Sequence, residues 1–139
     1  LADQVNSSMP LFVVDLVVKA LGDKGKALNN SSVLILGITY KADVNDVRES
    51  PALDVWQLLS SRGARVSYHD SFVESLEFQE TVHASKPLTP EILSEADCSV
   101  LLVAHKSLDF DMVCEHSPCI VDTRNALSGY SSDGRIYRL

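Results

Sequence analysis

The chain has 139 residues, with 12 Lys plus Arg against 19 Asp plus Glu, a formal charge of −7. That length suits one compact domain, and 45% hydrophobic with 22% charged residues is a globular composition rather than a disordered one. A negative surface excludes a general electrostatic attraction to nucleic acid or anionic lipid, so any anion site must be local.

The longest mostly apolar stretch, Met9 to Leu21, is interrupted by Asp15 and Lys19 and falls short of the ~20 residues a membrane helix needs. LADQVNSS lacks the basic region and apolar core of a secretory signal, and the absence of an initiator Met gives the chain the look of a fragment. Cys98, Cys114 and Cys119 are odd in number and form no CxxC pair, which favours buried free thiols in a reducing cytoplasm.

Ser8 and Pro10 suggest the cap and first turn of a helix over Pro10–Leu21, closed by Gly22. Its run of Phe12, Val13, Val14, Leu16, Val17 and Val18 leaves almost no polar face, so the helix needs cover on most sides, from a neighbouring domain or a second subunit. DKGKALNNSS then has a linker's composition, which places a boundary near residue 28.

Val33–Leu36 is a short apolar run ending at Gly37 and predicts a strand buried on both faces. Ser50 and Pro51 open a helix with Ala52, Leu53, Val55, Trp56, Leu58 and Leu59 at helical spacing, ended by Gly63. A second strand lies in ARVSYHD, completing a βαβ unit and implying a parallel sheet. Residues 71–88 have weak periodicity and suggest a long excursion or a short helix near Val73–Phe78.

Thr89 and Pro90 repeat the capping pattern before EILSEAD, and a third strand follows over Cys98–Ala104. Asp109 caps a helix over Phe110–His116; Cys119–Val121 is a fourth strand and Arg135–Leu139 a fifth. Trp56, Phe12 and Phe110 read as core. The alternation predicts an α/β fold, a Rossmann-like doubly wound parallel sheet flanked by helices.

In such sheets ligands bind beyond the carboxyl ends of the strands. Tyr40, Lys41 and Arg48 follow the first strand, His105 and Lys106 the third, and Asp122, Arg124 and Asn125 the fourth. The basic side chains among them suit a phosphate or diphosphate, helped by the positive end of the helix at Pro51. The alternative is that they pair with Asp43, Asp46, Glu49, Asp109 and Asp122 along a solvated edge, and spacing leaves both readings open.

A dinucleotide cradle is disfavoured, because the first turn offers Gly37 alone where GxGxxG is needed, and Asp70 suits a turn or cap better than a ribose contact. His69, His83, His105 and His116 show no metal-ligand spacing, and none of the three cysteines has the setting of a nucleophile.

VLILGITYKADVNDVRESPALDVWQLLSSRGARVSYHD, together with IVDTRNAL, resembles the UDP-glucose/GDP-mannose dehydrogenase family in its C-terminal nucleotide-sugar-binding domain. VNSSMP, HKSLDFD and VDTRN look more like the branch acting on UDP-N-acetylhexosamines than the UDP-glucose branch. The resemblance implies residues 1–28 as the end of a central helical dimerisation region and linker, and 29–139 as the sugar-nucleotide domain. It implies a homodimeric, cytoplasmic, NAD-dependent 6-dehydrogenase that oxidises a C6 alcohol to a carboxylate. The catalytic cysteine and the main NAD domain would lie outside this chain, leaving it inactive alone.

Residue by residue, the resemblance implies that Tyr40, Lys41 and Arg124 contact the UDP-sugar. It implies that Arg48 reaches NAD across a domain cleft and that Asp122 and Asn125 shape their loop. His105 and Lys106 receive no role from it. Two rivals stand beside this reading: a non-catalytic nucleotide-binding or regulatory α/β module, and an interaction domain docking through the Pro10–Leu21 helix.

Overall fold

Apolar runs bounded by turn residues become strands here, and capped amphipathic runs become the helices between them. The computed structural model describes residues 2–48, 50–130 and 134–139, with the backbone alone for residues 2–8. In chain order the elements are α1 (Ala2–Asp23), β1 (Ser32–Leu36), α2 (Pro51–Ser61), β2 (Arg65–His69), β3 (Ser75–Phe78), β4 (Thr81–Ala84) and α3 (Pro90–Glu95). They continue with β5 (Cys98–Leu101), α4 (Phe110–His116), β6 (Ile120–Asp122) and β7 (Ile136–Arg138).

Five strands form one parallel sheet in the order β2-β1-β5-β6-β7. The two-residue strand period splits its side chains between two cores. Val33, Ile35, Val100 and Val121 meet Val13, Val14 and Val17 of α1 and Val55, Trp56 and Leu59 of α2. Leu34, Leu36, Leu101 and Ile120 meet Leu93 of α3 and Val113 of α4 on the other face. The predicted doubly wound α/β architecture is therefore present, and the strand order reverses between β1 and β5.

Helix α1 starts earlier than its capping pattern suggests. Position 8 lies inside the helix and Pro10 is an interior residue. A proline removes one amide donor, and the burial of Val13, Val14, Val17, Ala20 and Leu21 outweighs that loss. The domain's own sheet supplies most of the cover α1 needs. Phe12 is not core: it is 58% exposed, beside exposed Leu11 and Val18. Trp56 is buried and packs on Tyr68, Phe78 and His83, while Phe110 is half-buried against the second core.

Residues 73–78 form no helix. β3 and β4 are an antiparallel hairpin in which Phe78 faces Thr81. The two turn residues, Gln79 and Glu80, both have positive φ, 56° and 63°, the conformation for which Asn-Gly is the usual signal. Strand β5 also stops at Leu101 rather than Ala104, because Val103 turns in against Gly37. No helix among the described residues is long and apolar enough to cross a membrane.

The three cysteines are free and buried. A hydrogen bond to Cys119, together with burial, pushes the Cys98 thiol well up, and burial pushes Cys114 up. Neither is set up as a thiolate nucleophile.

Asp97 ties the amino end of the sheet together. Its carboxylate accepts from Lys26 Nζ at 2.6 Å and from the Ser32 amide at 2.8 Å. Those bonds, the Lys26 one first, hold its pKa below the ordinary carboxylate value. A depressed folded-state pKa gives stability that is present above the unfolded value of about 3.9 and is lost as the pH falls through the folded value. Asp97→Asn should therefore flatten the acid limb of a stability-against-pH curve measured by urea unfolding. An unchanged acid limb would show that this carboxylate adds nothing to folding.

Candidate functional site

The carboxyl ends of β1, β5 and β6 open into a cleft of about 300 Å³, lined by Tyr40, Lys41, Ser50, Pro51, Val103, Ala104, Thr123 and Arg124 among others. It lies where the strand order reverses, the place where open α/β sheets take ligands. Lys41 comes from the loop after β1 and Arg124 from the loop after β6, on either side of β5.

The first loop is fastened at several points. Asp70 is buried at the end of β2. Its carboxylate accepts from the Ile38 amide at 2.8 Å and from the Phe72 amide at 2.9 Å, so it holds two turns and serves as the expected cap. The Tyr40 amide donates to the Asp46 carbonyl at 2.6 Å. Ser50, at the N-cap of α2, donates to the Thr39 carbonyl at 3.1 Å and accepts from the Ala52 amide at 3.2 Å. This binds the start of the loop to the helix N-terminus at the cleft wall.

The second loop is shaped by Asp122. Its buried carboxylate accepts from the amides of Arg124 at 3.0 Å, Ala126 at 3.3 Å and Leu127 at 2.8 Å. Asn125 adopts φ 57°, which Asn tolerates better than most residues. The Thr123 hydroxyl donates to the Leu101 carbonyl at 2.7 Å, fixing the loop to β5. Both Asp122 and Asn125 thus have the loop-shaping geometry anticipated for them.

The basic residues divide between the two readings that spacing left open. The side chains of Lys41 and Arg124 line the cleft and have no ion-pair partner among the described residues. Arg48 instead meets the Asp46 carboxylate through Nε and Nη2, each at 3.1 Å, and holds that carboxyl below its usual range. It does not line the cleft.

The proposed acidic partners of Lys41 and Arg124 are engaged elsewhere: Asp109 caps α4, Asp43 accepts from the Lys106 amide, and Asp122 serves backbone amides. Glu49 lies outside the described residues.

His105 does not join the cationic surface; it is buried below it. Position at a strand end gave no sign of that. No group of three or more His, Cys, Asp or Glu side chains able to hold a metal is found among the described residues. The turn after β1 also does not fit a dinucleotide cradle. Gly37 stands alone, and the space a phosphate would need beside it is filled by Val103.

Among the described residues, this edge offers two cations without an ion-pair partner, a helix N-terminus and an exposed tyrosine ring around one cleft. Such a set holds a diphosphate and one face of a sugar or base.

The model of the UDP-glucose/GDP-mannose dehydrogenase family, UDP binding domain, matches residues 34–129. A UDP-N-acetyl-D-mannosamine dehydrogenase of Methanococcus maripaludis is 32% identical over 136 residues, 91% of this chain and 30% of its own length. A UDP-glucose 6-dehydrogenase of Rhizobium meliloti is 30% identical over 120 residues, 77% of this chain and 26% of its own. Among solved structures, the NDP-N-acetyl-D-galactosaminuronic acid dehydrogenase of Methanosarcina mazei superposes with TM-score 0.82 at 29% identity. That match covers all of this chain and 30% of the other. The chain thus spans about 30% of the length of these relatives.

Proposed function

The chain belongs to the UDP-glucose/GDP-mannose dehydrogenase family, and from that premise we propose that its cleft binds the diphosphate and sugar of a UDP-hexose. In this reading it is the substrate-binding part of an NAD-dependent 6-dehydrogenase that turns the C6 alcohol into a carboxylate. The substrate is a UDP-N-acetylhexosamine, with UDP-glucose the second choice.

The observation that carries this is the pair Lys41 and Arg124, unpaired at the mouth of one cleft in a chain of net charge −7. A diphosphate supplies the negative charge that no side chain among the described residues gives them. Lys41 acts as a compact charge and Arg124 as a two-pronged donor, while the N-terminus of α2 adds the positive end of its dipole. Tyr40, 57% exposed beside them, gives a flat ring and a hydroxyl for the sugar or base.

NAD, when bound, accepts hydride from the sugar carbon. The β1 turn has no cradle for it, so most of the cofactor's contacts belong to regions of the longer relatives that this chain does not match. Arg48, whose side chain is 88% exposed, is the one residue here proposed to reach the cofactor. Because all three cysteines are buried and none lines the cleft, this chain alone is proposed to be inactive. Residues 1–28 are proposed as the end of a dimerising helical region and linker, 29–139 as the substrate domain, in a cytoplasmic homodimer.

Titration calorimetry with UDP, GDP and UDP-N-acetylglucosamine tests the substrate class. Binding of the two uridine ligands with GDP weaker is the expected result. Equal or tighter GDP binding, or no binding by any of the three, would overturn it.

A further inference from the structure

Beneath the cleft, the loops that follow β1, β2 and β5 converge on one buried imidazole. His105 is 4% exposed. Its Nδ1 accepts the backbone amide of Asp43 at 2.8 Å. Its Nε2 lies 3.0 Å from Asp70 Oδ2 and 3.3 Å from Thr39 Oγ1. A backbone amide can only donate, so Nδ1 is the unprotonated nitrogen, and Nε2 carries the hydrogen that Asp70 accepts. The Thr39 hydroxyl gives its own hydrogen to the Lys41 carbonyl at 2.8 Å, leaving its oxygen to face Nε2.

The order of dependence is physical. Asp70, fixed by the Ile38 and Phe72 amides, sets the tautomer; the tautomer leaves Nδ1 free to accept; and Nδ1 takes an amide two residues beyond Lys41. That amide belongs to a residue that needs holding. Asp43 has φ 63°, a left-handed conformation that costs a non-glycine residue energy and persists when its surroundings enforce it. The Phe72 ring covers the imidazole, with centroids 4.6 Å apart.

We propose that His105 is a positioning residue for the anion-binding loop: locked by Asp70 with its hydrogen on Nε2, it uses Nδ1 to hold Asp43 in its left-handed turn, and so keeps Tyr40 and Lys41 at the cleft. The ligand of that loop rests on the function proposed above; the way the loop is held does not. His105 itself touches no ligand.

The charged and titratable groups around the ring are Asp70 from the end of β2, Asp43 from the loop after β1, His69 across a small cavity, and Lys106 next in the chain. Asp43 Oδ1 is 3.9 Å from Nδ1 and already accepts the Lys106 amide at 2.9 Å.

Two substitutions separate positioning from mere filling of space. In His105→Asn the amide oxygen takes the place of Nδ1 and keeps the bond to Asp43. In His105→Gln the amide nitrogen takes the place of Nε2, which keeps Asp70 and abandons Asp43. Binding of UDP-N-acetylglucosamine, whose diphosphate is esterified at both ends, is measured by calorimetry. Amide hydrogen exchange at Asp43 is followed by NMR on the same samples.

The expected result is that H105N binds within about twofold of the parent. H105Q binds about tenfold more weakly, with Asp43 exchanging faster. Equal binding by all three proteins, or equal losses in H105N and H105Q, would overturn the positioning role. If the parent itself does not bind, the substrate reading fails and the exchange data alone decide. Protection at Asp43 in the parent and H105N but not in H105Q supports the inference, and equal exchange in all three refutes it.

Discussion

Lys41→Ala and Arg124→Ala are each expected to weaken UDP-sugar binding by about ten- to a hundredfold, because each removes a charge-assisted contact of roughly 1.5–3 kcal/mol. The two cations come from different loops but face one cleft, so the paired substitution should remove detectable binding rather than merely double the loss. Salt is the internal control. An anion held by two exposed cations weakens as ionic strength rises, and the parent's salt dependence should be shallower in either variant.

Arg48→Ala supplies the contrast. Arg48 is engaged with Asp46 outside the cleft, and its loss should leave UDP-sugar affinity in this chain within about twofold. Calorimetry on the five proteins decides the matter. Parent-like affinity in both Lys41→Ala and Arg124→Ala would sink the assignment of the cleft, whatever the family does elsewhere.

The second large effect concerns stability. Gly37→Ala should destabilise the fold by about 3 kcal/mol, combining backbone strain with overpacking. Gly37 has φ 89°, and an added Cβ would stand 2.6 Å from both the Cβ and the carbonyl oxygen of Val103. Val103 cannot retreat cheaply, because its amide and that of Leu102 both donate to the Leu36 carbonyl. For a chain of this size the change corresponds to roughly 10 °C in melting temperature. A calorimetric scan showing a fall of only a degree or two would mean that β1 and β5 can part at their ends without penalty. The same crowding keeps a dinucleotide phosphate away from this turn, so the site's chemistry and its stability share one close contact.

Much of the fold can be read from punctuation. Ser50, Thr89 and Asp109 are followed by the helices they cap, each accepting a first-turn amide. The apolar runs at Val33, Cys98 and Cys119 become adjacent parallel strands. The hairpin escapes notice because its turn, Gln79-Glu80, carries none of the Asn or Gly that ordinarily marks two consecutive positive φ angles. Phe12 misleads because helical apolarity says how much surface needs cover, not which three side chains stay outside. The β5 run looks too long because Leu102 and Val103 remain buried after leaving the sheet.

Strand-end reasoning puts Tyr40, Lys41 and Arg124 on one edge, and all three line the cleft there. It cannot separate a side chain above the sheet edge from one folded under it. Arg48 and His105 therefore read like the others until their partners, Asp46 and Asp70, come into view.

Helix α1 lies in the same core as β6, and the Tyr137 hydroxyl on β7 donates to Asp23 at the end of α1. Part of the greasy side of α1 is thus closed by strands that lie about a hundred residues further along the chain. During synthesis α1 precedes β6 and β7, so this part of its cover is missing until they leave the ribosome. At about 5–20 residues per second that delay is several seconds. A nascent chain of this kind presents a sticky amphipath to the cell before it presents a domain, and chaperones are the natural caretakers of that interval.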